Sequence, residues 1–123
     1  MEVGILNFEI NDKEPIYLQI IRHIKTSIVV GTLEPGDTIH SRREMAESLR
    51  VNPNTVQRAY KEMEAMGLIV TERNSKSKIT DNVEILNGVK MELVSEALNE
   101  FMAKMKAIKI SKDEVLQIIE KTY

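Results

Sequence analysis

Ile16, Ile20, Ile24 and Ile28 recur every four residues, with Tyr17 and Ile21 beside them. One broad apolar face of this kind predicts an amphipathic helix over about Pro15 to Val30. Pro15 suits the first helical position, where its missing N–H costs nothing, and Gly31 supplies the stop. Leu33 to Asp37 contains Pro35-Gly36 and reads as a turn. Ser41 and Glu44 have the spacing of a capping box, so a short second helix starts after Ser41, with Met45, Ala46 and Leu49 on its inner face. Asn52-Pro53 opens a third helix, an N-cap residue followed by proline at the first helical position. Val56, Ala59, Tyr60 and Met63 fall on one side of it. Asn54, Arg58 and Lys61 fall on the other, flanked by Thr55 and Gln57. Gly67 ends it.

Leu68 to Val70 and Ile79-Thr80 are β-prone and enclose the polar stretch Arg73 to Lys78, which predicts a hairpin. From about Gly88 the pattern turns helical again. Met91, Val94, Leu98, Phe101, Met105 and Ile108 alternate spacings of three and four, the seam of a helix packed on another helix, and Ala97 and Met102 widen it. Ser111 and Glu114 repeat the capping-box spacing, and Val115, Leu116, Ile118 and Ile119 carry a final helix to Tyr123. Residues 1 to 14 show no clear period; Ile5, Phe8 and Ile10 are read as packing residues of a short strand or extended arm. The fold class expected is therefore mainly α with a small β-hairpin. The order helix, short helix, capped helix, hairpin is that of a winged helix-turn-helix over residues 1–82, followed by a helical hairpin over residues 83–123.

In such a motif the tight Arg50 to Asn52 connection sets the third helix into a major groove. Its exposed face fits that task. Asn54, Thr55, Gln57, Arg58 and Lys61 are hydrogen-bonding side chains near its start; Asn and Gln pair with adenine edges, Arg with guanine, Lys with guanine or phosphate. A merely solvated face would favour Glu and Lys over the weaker helix formers Asn and Thr.

Net charge changes this picture only when it is divided by position. The 123 residues carry a formal charge of −2, which on its face disfavours nucleic acid. From His40 to Thr80, however, eight basic residues (Arg42, Arg43, Arg50, Arg58, Lys61, Arg73, Lys76, Lys78) stand against five acids, a local +3, and the rest of the chain is −5. Charge is segregated as phosphate binding requires.

Three runs resemble the winged-helix domain of GntR-type transcriptional regulators: Pro15-Ile16-Tyr17-Leu18-Gln19-Ile20, Gly31-Thr32-Leu33-Glu34-Pro35-Gly36-Asp37 and Val51-Asn52-Pro53-Asn54-Thr55-Val56. Arg58-Ala59-Tyr60 and Gly67-Leu68-Ile69 continue the match, which covers about residues 14 to 80. The short helical tail is similar to that of the YtrA-like subfamily, whose two-helix C-terminal segment serves dimerisation. The resemblance implies that Arg43 is the family's DNA-contacting arginine. It also implies that Ser41 doubles as cap and phosphate ligand at a helix N-terminus. Asn52, Asn54, Thr55 and Arg58 match the start of the family's recognition helix. Arg42, Gln57, Lys61, Arg73, Lys76 and Lys78 complete the expected DNA-binding set. Met91, Val94, Leu98, Phe101, Met105, Ile108, Leu116 and Ile119 form the expected dimer seam.

Two departures stand out. Ile39-His40 replaces the family's Leu-Pro. The wing reads Arg73-Asn74-Ser75-Lys76-Ser77-Lys78-Ile79 in place of Gly-x-Gly followed by Thr and aromatic residues. Lost glycines remove close backbone approach, for which the left-handed tolerance of Asn74 and the charges of Lys76 and Lys78 are the available substitutes.

Other chemistries find no support. With no Cys, disulfides, thiolate zinc sites and Cys nucleophiles are excluded. Neither His23, read as a surface or satisfied helix residue, nor His40, read as a loop residue, belongs to a metal-ligand pattern. There is no Gly-rich phosphate loop and no spacing that places a catalytic triad. No apolar run approaches a membrane span, and residues 1–4 lack a basic signal-peptide start. The expectation is a cytoplasmic, non-enzymatic, cofactor-free homodimer, a repressor acting on a pseudo-palindromic double-stranded DNA operator. Two other readings stay open: a protein-interaction module using the Met-rich tail, and a DNA-binding sensor responsive to an unknown small-molecule effector.

Overall fold

A computed structural model describes residues 9–73 and 76–123. The order of elements is α1 (Ile16–Val30), β1 (Thr38–Ile39), α2 (Arg42–Leu49), α3 (Pro53–Ala65), β2 (Ile69–Thr71), β3 (Ser77–Ile79), α4 (Val83–Ala107) and α5 (Lys112–Thr122). The expected positions Ile5, Phe8 and Asn74 lie outside the described residues.

The first compact unit ends at Lys90 and the second spans Met91–Tyr123. In the first, α1 and α2 both pack on α3. Ile20, Ile24, Leu33, Ile39, Met45, Val56, Ala59, Tyr60, Met63 and Leu68 form its dry centre. The isoleucines of α1 and the apolar side of α3 meet there, as their four-residue spacing requires. Pro15 is the N-cap of α1, one position ahead of the expected N1, and Gly31 ends the helix at φ 90°. Buried Gln19 anchors the approach to α1: its Nε2 donates to the carbonyls of Asn11 and Glu14, each at 2.8 Å, and its Oε1 accepts from Asn11 N–H at 3.0 Å.

Two differences from the sequence reading have clear causes. The hairpin is part of a three-stranded antiparallel sheet ordered β1-β3-β2, with Thr38 opposite Lys78 and Ile39 opposite Ser77. A two-residue strand is too short to show a period, though Thr38 and Ile39 are both β-branched. The long helix starts at Val83, ahead of the expected Gly88. Asn82 Oδ1 caps it by accepting from the N–H groups of Glu84 (3.0 Å) and Ile85 (3.3 Å). The added turn supplies Ile85 and Leu86, which pack, just ahead of the buried Val89, against the same core.

Gly67, at φ 76°, is a position where glycine is required, because a Cβ there would also stand 2.9 Å from Ile85 Cδ1. Gly88 lies inside α4 with open space around it. Gly67→Ala should lower stability by about 1–2 kcal/mol from the left-handed backbone alone. Gly88→Ala should raise it by about 0.5–1 kcal/mol. Denaturant titration of the two variants checks the opposite signs.

In the second unit, α4 ends in a turn with Lys109 at φ 61°. Ser111 Oγ then caps α5 by accepting from Glu114 N–H at 3.2 Å. The return bond that would complete the expected capping box is not formed there. Phe101, Met105, Val115, Ile118, Ile119, Thr122 and Tyr123 line an almost wholly apolar cleft of about 410 Å³ between α4 and α5. Met91, Val94, Leu98, Phe101, Ile108, Leu116 and Ile119 are exposed on the single chain. No helix among the described residues is long and apolar enough to cross a membrane.

Candidate nucleic-acid interface

The capping box at the start of α2 is complete. Ser41 Oγ accepts from Glu44 N–H at 3.1 Å, and Glu44 Oε1 accepts from Ser41 N–H at 2.9 Å. The Ser41 backbone bond, then its hydroxyl, hold the Glu44 carboxyl below the ordinary carboxylate range, with Lys76 and His40 adding to the effect. At α3, Asn52 Oδ1 caps the helix by accepting from Asn54 N–H at 2.7 Å, which leaves the Asn52 amide N–H groups to other acceptors.

Between the two helix starts runs a cleft of about 410 Å³ lined by Arg42, Arg43, Ala46, Glu47, Pro53, Asn54 and Gln57. Six side chains of the expected set are exposed in this part of the surface: Arg43, Asn52, Asn54, Gln57, Arg58 and Lys61. Among the described residues, the side chains of Arg43, Asn54, Gln57 and Lys61 form no hydrogen bond or ion pair. Thr55 is half-buried.

Arg58 is held from two sides. Its guanidinium lies 3.8 Å from the centre of the Tyr17 ring on α1, and Nε donates to Glu62 Oε2 at 3.1 Å. An exposed stack of this kind is worth about 0.5–1 kcal/mol. An exposed i,i+4 ion pair adds about 0.3–0.5 kcal/mol. A bidentate contact to guanine is worth about 1–3 kcal/mol. The side chain is therefore pre-positioned yet can be drawn off by a base edge.

Arg42 is placed differently. It is half-buried, and its Nη2 donates to Glu64 Oε1 at 2.9 Å. On the wing, Arg73 and Lys76 are exposed, Lys76 Nζ lies 4.0 Å from Glu44 Oε1, and Lys78 Nζ pairs with Glu72 Oε1 at 2.9 Å. His40 is a loop residue between β1 and α2, as expected, and is largely buried there, with the Tyr60 hydroxyl donating to its carbonyl from the core. Sequence reasoning placed Tyr17 and Tyr60 in the core face and gave no role to Glu62, Glu64, Thr71 or Ser77. Only the i,i+4 spacing of Arg58 and Glu62 was available as a signal.

Residues 16–79 match the family described as "Bacterial regulatory proteins, gntR family". The chain belongs to the GntR family. The matched span runs from the start of α1 to the end of β3 and so contains the whole interface described above. This GntR chain is 40% identical over 112 residues to the HTH-type transcriptional regulator YhcF of Bacillus subtilis, covering 91% of this chain and 93% of that protein. It is 40% identical over 90 residues to the HTH-type transcriptional repressor YtrA of Bacillus subtilis, covering 72% of this chain and 68% of that protein. The solved structure of a GntR family transcriptional regulator from Listeria monocytogenes superposes with a TM-score of 0.83 at 34% identity, covering 93% of this chain and 100% of that one.

Proposed function

We propose that this GntR-family chain is a cytoplasmic, homodimeric transcriptional repressor that binds a pseudo-palindromic DNA operator. Residues 1–82 read DNA and residues 83–123 pair the protomers. Arg43, Asn54, Gln57, Arg58 and Lys61 contact the major groove. Ser41, Asn52 and Thr55 hold phosphates at the two helix starts, and Arg73, Lys76 and Lys78 follow the backbone from the wing. The observation that carries this reading is the cluster of exposed base-pairing side chains around the α2–α3 cleft, within the span that matches the family. A two-fold dimer sets half-sites about one helical turn, or a multiple of it, apart.

Selection of bound fragments from genomic DNA tests the reading. The recovered sequences should share an inverted repeat, and affinity should fall with salt at a slope of about −0.9 per phosphate contact on a log–log plot. Fragments without a common repeat, or binding indifferent to salt, would overturn it. Because the whole chain is acidic, the same protein should hold unrelated DNA weakly, so selection in moderate salt is the informative condition.

A further inference from the structure

Glu64, near the end of α3, gathers three elements around one carboxylate. Oε1 accepts from Arg42 of α2, and Oε2 accepts from the Thr71 hydroxyl of β2. Thr71 is the cross-strand partner of Ser77 on β3, and their hydroxyl oxygens are 2.8 Å apart. Since the Thr71 proton goes to Glu64, the fully buried Ser77 hydroxyl donates to Thr71. The Arg42 guanidinium carbon lies 5.1 Å from the centre of the Tyr60 ring, and the Tyr60 hydroxyl donates to the His40 carbonyl just ahead of the α2 cap.

Both charged partners are under one-third exposed, at 28% for Arg42 and 31% for Glu64. Arg42 Nε is buried with no hydrogen-bond partner among the described residues, so this cation faces inward. The Thr71 hydroxyl, and after it Arg42, lower the Glu64 carboxyl below its ordinary range against the opposing effect of burial. Arg43 follows Arg42 directly in sequence, and Arg73 and Lys76 lie between Thr71 and Ser77. The contacts therefore fix where the bearers of the expected phosphate and base contacts sit relative to α3.

We infer that Arg42, Glu64 and Thr71 form a polar clip that sets the start of α2 and the wing against the recognition helix. Arg42 and Glu64 are thus positioning residues for DNA binding, and Arg42 is not a DNA ligand. The inference rests on the DNA-binding reading. It makes an unusual demand on sign. Removing an acidic charge beside a DNA-binding face ordinarily tightens binding, whereas loss of the clip weakens it.

The experiment uses the full chain and an operator fragment recovered by selection, with fluorescence anisotropy read across a salt series. Arg42→Gln and Glu64→Gln should each weaken operator binding by about three- to thirtyfold. Both should keep the wild-type salt slope, and the double variant should be no weaker than either single one. Thr71→Val, which keeps volume and strand preference, should weaken binding in the same direction and serves if a glutamine variant fails to fold. Glu64→Gln binding as tightly as wild type or tighter would overturn the clip, as would an Arg42→Gln slope reduced by about one phosphate per protomer. A wild-type chain that selects no DNA would instead remove the reading on which the clip depends, and the clip's role with it.

Discussion

Replacing Leu98 and Phe101 together by aspartate should convert the protein to a monomer and lower operator affinity by about 10²- to 10⁴-fold. The magnitude follows from linkage. Two half-site contacts held in one dimer make the second binding event intramolecular, and that advantage disappears when the protomers part. Leu98 is 49% exposed and Phe101 37% exposed on the single chain, in line with Met91 and Val94 along α4 and with Ile108 just past its end. An apolar row of this extent on a helix surface calls for a partner. The row repeats with alternating spacings of three and four, which fits a second helix of the same kind. Burying such side chains yields about 1.5–3 kcal/mol each. An aspartate at the same position would have to be desolvated without a counter-charge. Sedimentation velocity reports the oligomeric state, and circular dichroism checks that the first unit stays folded. A double variant that still sediments as a dimer would move the interface elsewhere.

Arg43→Ala should weaken operator binding by about 1–3 kcal/mol per half-site, with specificity relaxed at the base pair it contacts. Arg43 is exposed at the α2–α3 cleft and makes no bond among the described residues, so nothing internal is lost with it. Arg58→Ala should cost less than its base contact alone would suggest, because wild-type Arg58 first gives up its Tyr17 stack and Glu62 pair. Arg43→Ala should melt near wild type and Arg58→Ala a few degrees lower, by the stack and ion pair it loses, with both still folded at the assay temperature. Mobility-shift titration against the selected operator and against single-base variants of it measures both effects. An Arg43→Ala protein with unchanged affinity and unchanged base preference would remove Arg43 from the reading head.

Much of the fold is legible where local chemistry and burial agree. Ser41-Arg42-Arg43-Glu44 is a capping box in sequence and in space, because both of its bonds close within one helical turn. Asn52-Pro53 starts α3 for the same reason. The isoleucine spacing of α1 and the Val56, Ala59, Tyr60, Met63 side of α3 lie in the core as their periods require. The third strand and the true start of α4 were hidden because each depends on a distant partner. Thr38-Ile39 becomes a strand only where β3 lies beside it, and Val83–Leu86 joins α4 as the core accepts Ile85, Leu86 and Val89.

The interface divides along the same line. From its sequence alone, the chain determined which side chains stand on the outer face of α3, where the two helix caps fall, and that positive charge is concentrated between His40 and Thr80. These are properties of helix period, capping and composition, each set within a few residues. Tertiary structure alone decided how adjacent arginines differ. Arg42 turns to Glu64 and the Tyr60 ring, Arg43 is left exposed, and Arg58 rests on Tyr17. A cation's partner is chosen by which carboxylate or ring folding brings within a few ångströms, and residues 22 positions apart, as Arg42 and Glu64 are, carry no local signal of that meeting.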